Sequence, residues 1–301
     1  MNTLVNKSTI ATLAQSSRPP FLLLTPCIIF LGAAFAAYHG AVNIPYALIA
    51  LLGGLAAHIS VNTFNEYFDF KSGLDAQTKR TPFSGGSGAL IQHSSAAKAV
   101  LFLAISALLL SIAIGLFFVS VVGTAIIPLG VLGVLIVFSY TSILNKHALL
   151  CWLSPGLSFG PLMVVGTYLA IAGEYNMQVW LLSLIPFFLM NNLLLMNQYP
   201  DYEADKISGR RHLIIAYSKR LGAHVYGASV LFALAILLTC IILKVLPVYS
   251  LIAVAPILIG LNVYYQLLHN NDDFQRLLPY MAINVAISLS VPVLIALSLL
   301  L

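Results

Sequence analysis

Apolar residues along this chain run in blocks of about 20, the length that crosses a bilayer as a helix. Nine such blocks can be drawn, at roughly 20–38, 45–64, 97–119, 122–141, 149–172, 177–198, 222–244, 248–268 and 277–300. The third and fourth, fifth and sixth, and seventh and eighth are separated by very short links, which forces antiparallel hairpins. Longer polar connections follow the second block (about 65–96) and the sixth (about 199–221). Ala34-Phe35-Ala36 resembles a signal-peptidase site, but the apolar run continues through Ala37 and Tyr38, so a retained first helix is expected. The pattern predicts an all-α, polytopic membrane protein of about nine transmembrane helices.

Composition agrees. Of 301 residues, 60% are hydrophobic and 8% charged, with mean hydropathy +0.97, whereas a soluble domain carries about 25% charged residues. The net charge of +5 does not point to nucleic acid, because the basic residues are scattered singly. Their placement is informative instead. With the N-terminus inside, thirteen of the fourteen Lys and Arg residues fall in cytoplasmic segments and only Lys244 falls outside, a strong positive-inside bias. The expected location is a bacterial-type inner membrane, with the bilayer as partner and no protein partner inferred. Cys27, Cys151 and Cys240 lie inside apolar runs without ligand spacing and read as small core residues. His39, His93, His147, His212, His224 and His269 also lack ligand spacing.

Six of the nine acidic residues form two clusters: Glu66, Asp69 and Asp75, then Asp201, Glu203 and Asp205. Each cluster sits where a helix leaves the membrane on the cytoplasmic side. There carboxylates face the negative end of the helix dipole, at a cost of ~0.3–1 kcal/mol each, so a cation is expected beside them. The clusters are also related in sequence. Asn65-Glu66-Tyr67-Phe68-Asp69-Phe70 and Asn197-Gln198-Tyr199-Pro200-Asp201-Tyr202 both read N-x-Y-x-D-aromatic, at a constant offset of 132 residues. A duplicated four-helix unit is expected, with a first half at 20–141, a second at 149–268, a final helix at 277–300, and a central cavity shared between the halves.

Asn65 and Asp69 are four apart, and His58 and Asn62 continue the same helical face inward. Asn197, Asp201 and Asp205 form the matching stripe, subject to a bend at Pro200. Carboxylate and amide oxygens without His or Cys suit a hard ion, Mg²⁺ rather than Zn²⁺, with phosphate oxygens completing the shell. Lys79, Arg80, Lys206, Arg210 and Arg211 lie close enough in sequence to neutralise phosphate. Plain topology determination by these bases is an equally open reading. A diphosphate gripped at the interface of an apolar bundle implies a lipid tail. The chemistry this suits is metal-assisted loss of an allylic diphosphate, followed by attack of an aromatic ring on the carbocation. Tyr140 is a candidate cation-stabilising aromatic beside its alternative as an interfacial tyrosine. Ser84-Gly85-Gly86-Ser87-Gly88 is either a phosphate-binding backbone loop or a plain turn.

At these residues the chain resembles the UbiA-type intramembrane prenyltransferases. Their first motif, in one branch N-D-Y-x-D-x-x-x-G-x-D, is matched by Asn65 through Asp75. Their second, D-x-x-x-D followed by G-K/R-x, is matched by Asp201 through Asp205 and Gly209-Arg210-Arg211. The resemblance implies Asn65, Asp69, Asp75, Asp201 and Asp205 as metal ligands and Asn65, Asp69 and Asp201 as catalytic. It implies Arg18, Lys79, Arg80, Asn197, Lys206 and Arg210 as binding the diphosphate. Polyprenyl diphosphate and a small aromatic acceptor are the implied substrates. The G-x-D form and Phe159 through Tyr168 are similar to 1,4-dihydroxy-2-naphthoate polyprenyltransferases of menaquinone synthesis, while hydroxybenzoate and homogentisate stay open. Two departures bear on this. Glu66 stands where the family has Asp, and Leu153-Ser154-Pro155-Gly156 lies where relatives have G-L-G-E. An ion-coupled transporter is a rival reading, but its acids belong near the midplane.

Overall fold

The computed structural model describes residues 7–301, and every regular element among them is helical. Residues 1–6, expected on the cytoplasmic side with the rest of the N-terminus, lie outside the described part. A short helix, α1 (Lys7–Ser16), precedes eight helices of spanning length and composition. These are α2 (Pro19–Tyr38), α3 (Ile44–Ser72), α4 (Ser94–Val122), α6 (Ala148–Ala172), α7 (Met177–Ile207), α8 (Lys219–Ile242), α9 (Val248–Asn270) and α10 (Phe274–Leu299). The fourth expected span is present as α5 (Thr124–Ser139), which is shorter than the others. Its 16 residues reach about 24 Å, less than the ~30 Å hydrocarbon core.

Local chemistry sets these boundaries. Asn43 accepts the Tyr46 N–H at 3.0 Å and opens α3 with Pro45 in its first turn, while Gly73, at φ +77°, closes it. Asn176 and Ser218 cap α7 and α8 in the same way. Gly123, at φ +81°, ends α4 and delays the start of α5. α6 carries Pro155 and Pro161, and its Ser158–Val165 stretch widens to a π-helix where the proline nitrogens cannot donate.

α3 packs on α4, α7 on α8, and α10 lies against both α2 and α7, closing the bundle into a ring. Small residues permit the tightest crossing. A Cβ on Gly160 would lie 2.5 Å from the Ser183 carbonyl oxygen of α7, and Gly156 N–H donates to Asn191 Oδ1 at 2.7 Å. Asn192, Tyr226 and Asn284 tie α7, α8 and α10 through a buried network, with Tyr226 donating to Asn284 at 2.7 Å. Phe102, Leu109, Leu135, Leu231 and Phe232 point outward as an apolar belt. The chain is an integral, multi-pass membrane protein.

Candidate active site

The ring of helices encloses a cavity of about 680 Å³. Its deep wall is apolar, formed by residues such as Leu129, Ile136, Leu162 and Met163. Its mouth is polar, with Asn65, Asp69, Asp75, Asn197, Asp201 and Asp205 all on the wall. Both N-x-Y-x-D segments therefore deliver their Asn and first Asp to one chamber, as four-residue spacing on a helix dictates. The shared tyrosines face elsewhere. Tyr67 packs beside Leu90 and Val100, and Tyr199 donates to the Lys219 carbonyl at 2.8 Å. α7 runs through Pro200 without ending, so its stripe holds to Asp205.

The two helix ends are joined directly. Gly209, at φ +81°, reverses the chain after α7 and returns Arg210 to the mouth. Arg210 donates to Asp205 Oδ1 at 2.9 Å and to Asp69 Oδ1, so one guanidinium spans both motifs. Asp69 and Asp205 hold its positive charge firmly, and they outweigh the burial that would favour its loss. Two residues on, His212 meets Asp205 Oδ2 at 3.1 Å and is itself buried. Arg18 begins α2 in the left-handed region, at φ +53°. It reaches Asn65 Oδ1 at 3.5 Å and Glu66 Oε2 at 3.9 Å. Asn65 also donates to Thr141 at 3.3 Å.

The glycine loop takes a different part from the open phosphate cradle the sequence allowed. Gly85 N–H donates to Asp201 Oδ2 at 3.1 Å. Ser87 donates to Glu66 twice, from its N–H at 2.9 Å and from its hydroxyl at 2.5 Å. Glu66 is 0% exposed and absent from the cavity wall. The extra methylene of this residue thus reaches the loop, not the chamber. Gly85, Gly86 and Gly88 all have φ between +71° and +82°, and a Cβ at Gly86 would lie 2.8 Å from Asp75 Oδ1. Only glycine fits there.

Three of the expected phosphate-binding bases are not brought into the chamber. Lys79, Arg80 and Lys206 are exposed, and the cavity wall does not include them. Lys206 turns back over the Tyr202 ring, and Arg80 lies across Gly88. Their long solvated side chains follow loop and helix faces that point outward. Arg18 and Arg210 are the bases on the wall. Tyr140 also lines it, as do Asn145, Gln198 and His212, which sequence spacing did not single out. Asn145 and His212 reach it through turns, where no periodicity carries a signal. Gln198 sits beside Asn197 within the repeated motif, and that adjacency was the one available hint.

The donors fit a hard cation. Asp75 Oδ2 and Asp201 Oδ1 are sealed from solvent without a hydrogen-bond partner, a costly state for a carboxylate oxygen. Burial, then the Glu66 and Asp69 carboxylates, push the Asp75 carboxyl up to about 7 against the pull of Arg18 and Arg80. A divalent ion here would relieve both conditions. Among the described residues no three His, Cys, Asp or Glu side chains form a ready-made cage, because Arg210 stands between Asp69 and Asp205. That suits Mg²⁺, which takes one or two carboxylates and leaves other positions to phosphate oxygens.

The structure thus shows an apolar chamber inside a helical ring, with the paired acidic motifs at its mouth. Residues 24–286 match the UbiA prenyltransferase family, and the chain belongs to it. It is a prenyltransferase. It is 28% identical over 217 residues to 1,4-dihydroxy-2-naphthoate octaprenyltransferase of Bacillus subtilis (strain 168), spanning 71% of this chain and 68% of that protein. The fold is shared with an apo UbiA homolog from Aeropyrum pernix K1 (TM-score 0.68, 15% identity, 93% of this chain and 97% of that one). A UbiA homolog from Archaeoglobus fulgidus bound to DMAPP and Mg²⁺ is similar at TM-score 0.65 and 14% identity, over 93% and 97% of the two chains. Digeranylgeranylglyceryl phosphate synthase is similar at TM-score 0.63 and 18% identity, over 96% and 98%.

Proposed function

We propose that the protein transfers a polyprenyl group from its diphosphate to 1,4-dihydroxy-2-naphthoate, using Mg²⁺ at the acidic mouth of the cavity. The observation that carries the site is the meeting of the two motifs across Arg210, bonded at once to Asp69 and Asp205. Asn65, Asp69, Asp75, Asp201 and Asp205 would hold the metal, with Asn65, Asp69 and Asp201 nearest the reacting group. Arg18, Arg210 and Asn197 would bind the diphosphate, Arg210 already aimed across it by two carboxylates. A bound Mg²⁺ supplies charge stabilisation to the departing diphosphate as the allylic C–O bond breaks. The apolar deep wall keeps water from the resulting cation, and Tyr140 offers it an aromatic face. Naphthoate is favoured by the Bacillus subtilis relative and by the Asn65–Asp75 motif form. The duplicated halves at 20–141 and 149–268 account for the paired motifs, and the basic-residue bias supports a cytoplasmic mouth in a bacterial-type inner membrane.

The test is prenyl transfer in purified membranes, with labelled polyprenyl diphosphate and a panel of naphthoate, hydroxybenzoate and homogentisate. The wild type should label the naphthoate alone, and chelation of Mg²⁺ should abolish labelling. Asp69→Ala and Asp201→Ala should each lower the rate by about 10²-fold or more, the scale of lost electrostatic stabilisation. Full activity in both variants overturns the site, and labelling of another acceptor overturns the naphthoate assignment.

A further inference from the structure

Deep in the cavity, below the acidic mouth, an imidazole stands in a mostly apolar wall whose other polar groups there are hydroxyls such as Ser111, Ser158 and Thr167. His58 lies seven residues before Asn65 on α3, about 10 Å deeper at ~1.5 Å per residue. It is 6% exposed and lines the cavity. Its Nδ1 is fixed by Thr25 Oγ1 of α2 at 2.9 Å. Among the described residues Nε2 has no hydrogen-bond partner, and it is not fully buried. The ring's free nitrogen is therefore left to the cavity. Phe159 of α6 stands edge-on to the imidazole, with centroids 5.1 Å apart, and lines the same wall.

A ring nitrogen that opens onto a mostly apolar cavity leaves a hydrogen bond for whatever fills that cavity. A polyprenyl tail has nothing to offer it. A phenolic hydroxyl can both donate and accept, so it satisfies Nε2 in either tautomer. A flat ring bearing that hydroxyl also fits against the edge of Phe159 and the aliphatic wall. We propose that His58 is the acceptor-binding residue: its Nε2 takes the ring hydroxyl of a hydroxylated aromatic acceptor, with Thr25 holding the imidazole and Phe159 packing the ring. The inference rests on the prenyl-transfer reading above and adds to it where the acceptor lies. The hydroxyl is held at the deep end, and the reacting ring carbon is directed up towards the diphosphate. His58 holds the ring that supplies the electron pair for the new C–C bond, the pair from the breaking C–O bond leaves with the diphosphate, and the ring carbon then gives up its proton to that diphosphate, which restores aromaticity.

The experiment measures two bindings on purified wild type, His58→Leu and His58→Gln: geranyl diphosphate with Mg²⁺, and 1,4-dihydroxy-2-naphthoate. His58→Leu should weaken naphthoate binding by at least about ten-fold, the penalty for removing one hydrogen bond to a substrate hydroxyl. His58→Gln should recover most of that loss, and Thr25→Val should give an intermediate one. Geranyl diphosphate binding should be unchanged in all three, which also shows that they are folded. Unchanged naphthoate affinity in His58→Leu, no binding of naphthoate by the wild type, or an equal loss of both ligands overturns the assignment. Failure of the wild type to bind geranyl diphosphate with Mg²⁺ counts instead against the diphosphate site, and the naphthoate arm still decides His58.

Discussion

Glu66 shows how one methylene changes what a residue can reach. Its carboxylate is fully buried against Ser87, and the same loop donates Gly85 N–H to Asp201 of the other motif. Glu66 is thus a clasp that positions the loop between the two acidic ends. Glu66→Gln and Ser87→Ala should each free the loop, raising the rate of tryptic cleavage after the exposed Lys79 and Arg80. Their double variant should show less than the sum of the two effects, since both weaken the Glu66–Ser87 pair, of which Ser87→Ala removes only the hydroxyl bond. Glu66→Asp should not restore protection, because the shorter side chain falls short of Ser87. Cleavage at the wild-type rate in all of them removes the clasp. Arg210 presents the complementary case. Arg210→Met leaves Asp69 without its partner and Asp205 with His212 alone, at a cost approaching the ~3–5 kcal/mol of a broken buried pair and reduced by the 18% exposure of Arg210. Melting in the absence of Mg²⁺ should reveal that loss, and added Mg²⁺ should stabilise the variant more than the wild type. Neither role could be read from spacing. The family pattern has Asp at position 66 and gives no sign that Glu there turns to the loop, and the turn at Gly209 that returns Arg210 and His212 has no periodic signature.

At the level of elements, the apolar blocks located most span boundaries to within a few residues, because a bilayer imposes length and hydrophobicity on every crossing. α3 and α7 run on past their blocks to Ser72 and Ile207 and carry the acidic motifs there. Of the expected spans, α5 alone falls short of spanning length. The run at 122–141 is apolar throughout, but Gly123 and the turns after Ser139 trim the helix to Thr124–Ser139. That shortening matters, since it lets Tyr140, Thr141 and Asn145 turn in at the cavity mouth, where Thr141 meets Asn65. The α6–α7 crossing gives a test of packing. Gly160→Ala would press its Cβ against the Ser183 carbonyl and Phe187, and should destabilise by about 1–3 kcal/mol, as overpacking does. Gly166→Ala, on the same helix with nothing within 4 Å of the added carbon, should be neutral or slightly stabilising. Equal thermal shifts in the two variants, measured in one detergent, would contradict this account of the crossing.

For the whole molecule, the cavity and the orientation each make an expectation. Gly133 lines the chamber, and a Cβ there would approach no nearer than 3.8 Å to Leu162. Gly133→Trp should therefore shorten the usable tail space, cutting kcat/KM for a long polyprenyl diphosphate relative to geranyl diphosphate by roughly ten-fold or more. An unchanged ratio would mean that the tail lies elsewhere. With Cys27, Cys151 and Cys240 replaced by alanine, a single cysteine at position 79 should react with an impermeant thiol reagent only from the cytoplasmic face. One at position 244 should react only from the opposite face. The sequence by itself determined that the chain spans a membrane many times, which residue types stripe α3 and α7, and that a hard cation suits them. Each of these follows from local length, period and side-chain chemistry. Tertiary structure decided which charges meet: it joined Asp69 to Asp205 through Arg210, withdrew Glu66 from the chamber, left Lys79, Arg80 and Lys206 outside, and set His58 against Thr25. These outcomes depend on turns and interhelical distances, where a shift of one methylene or one glycine redirects a side chain, and no repeating pattern along the chain encodes them.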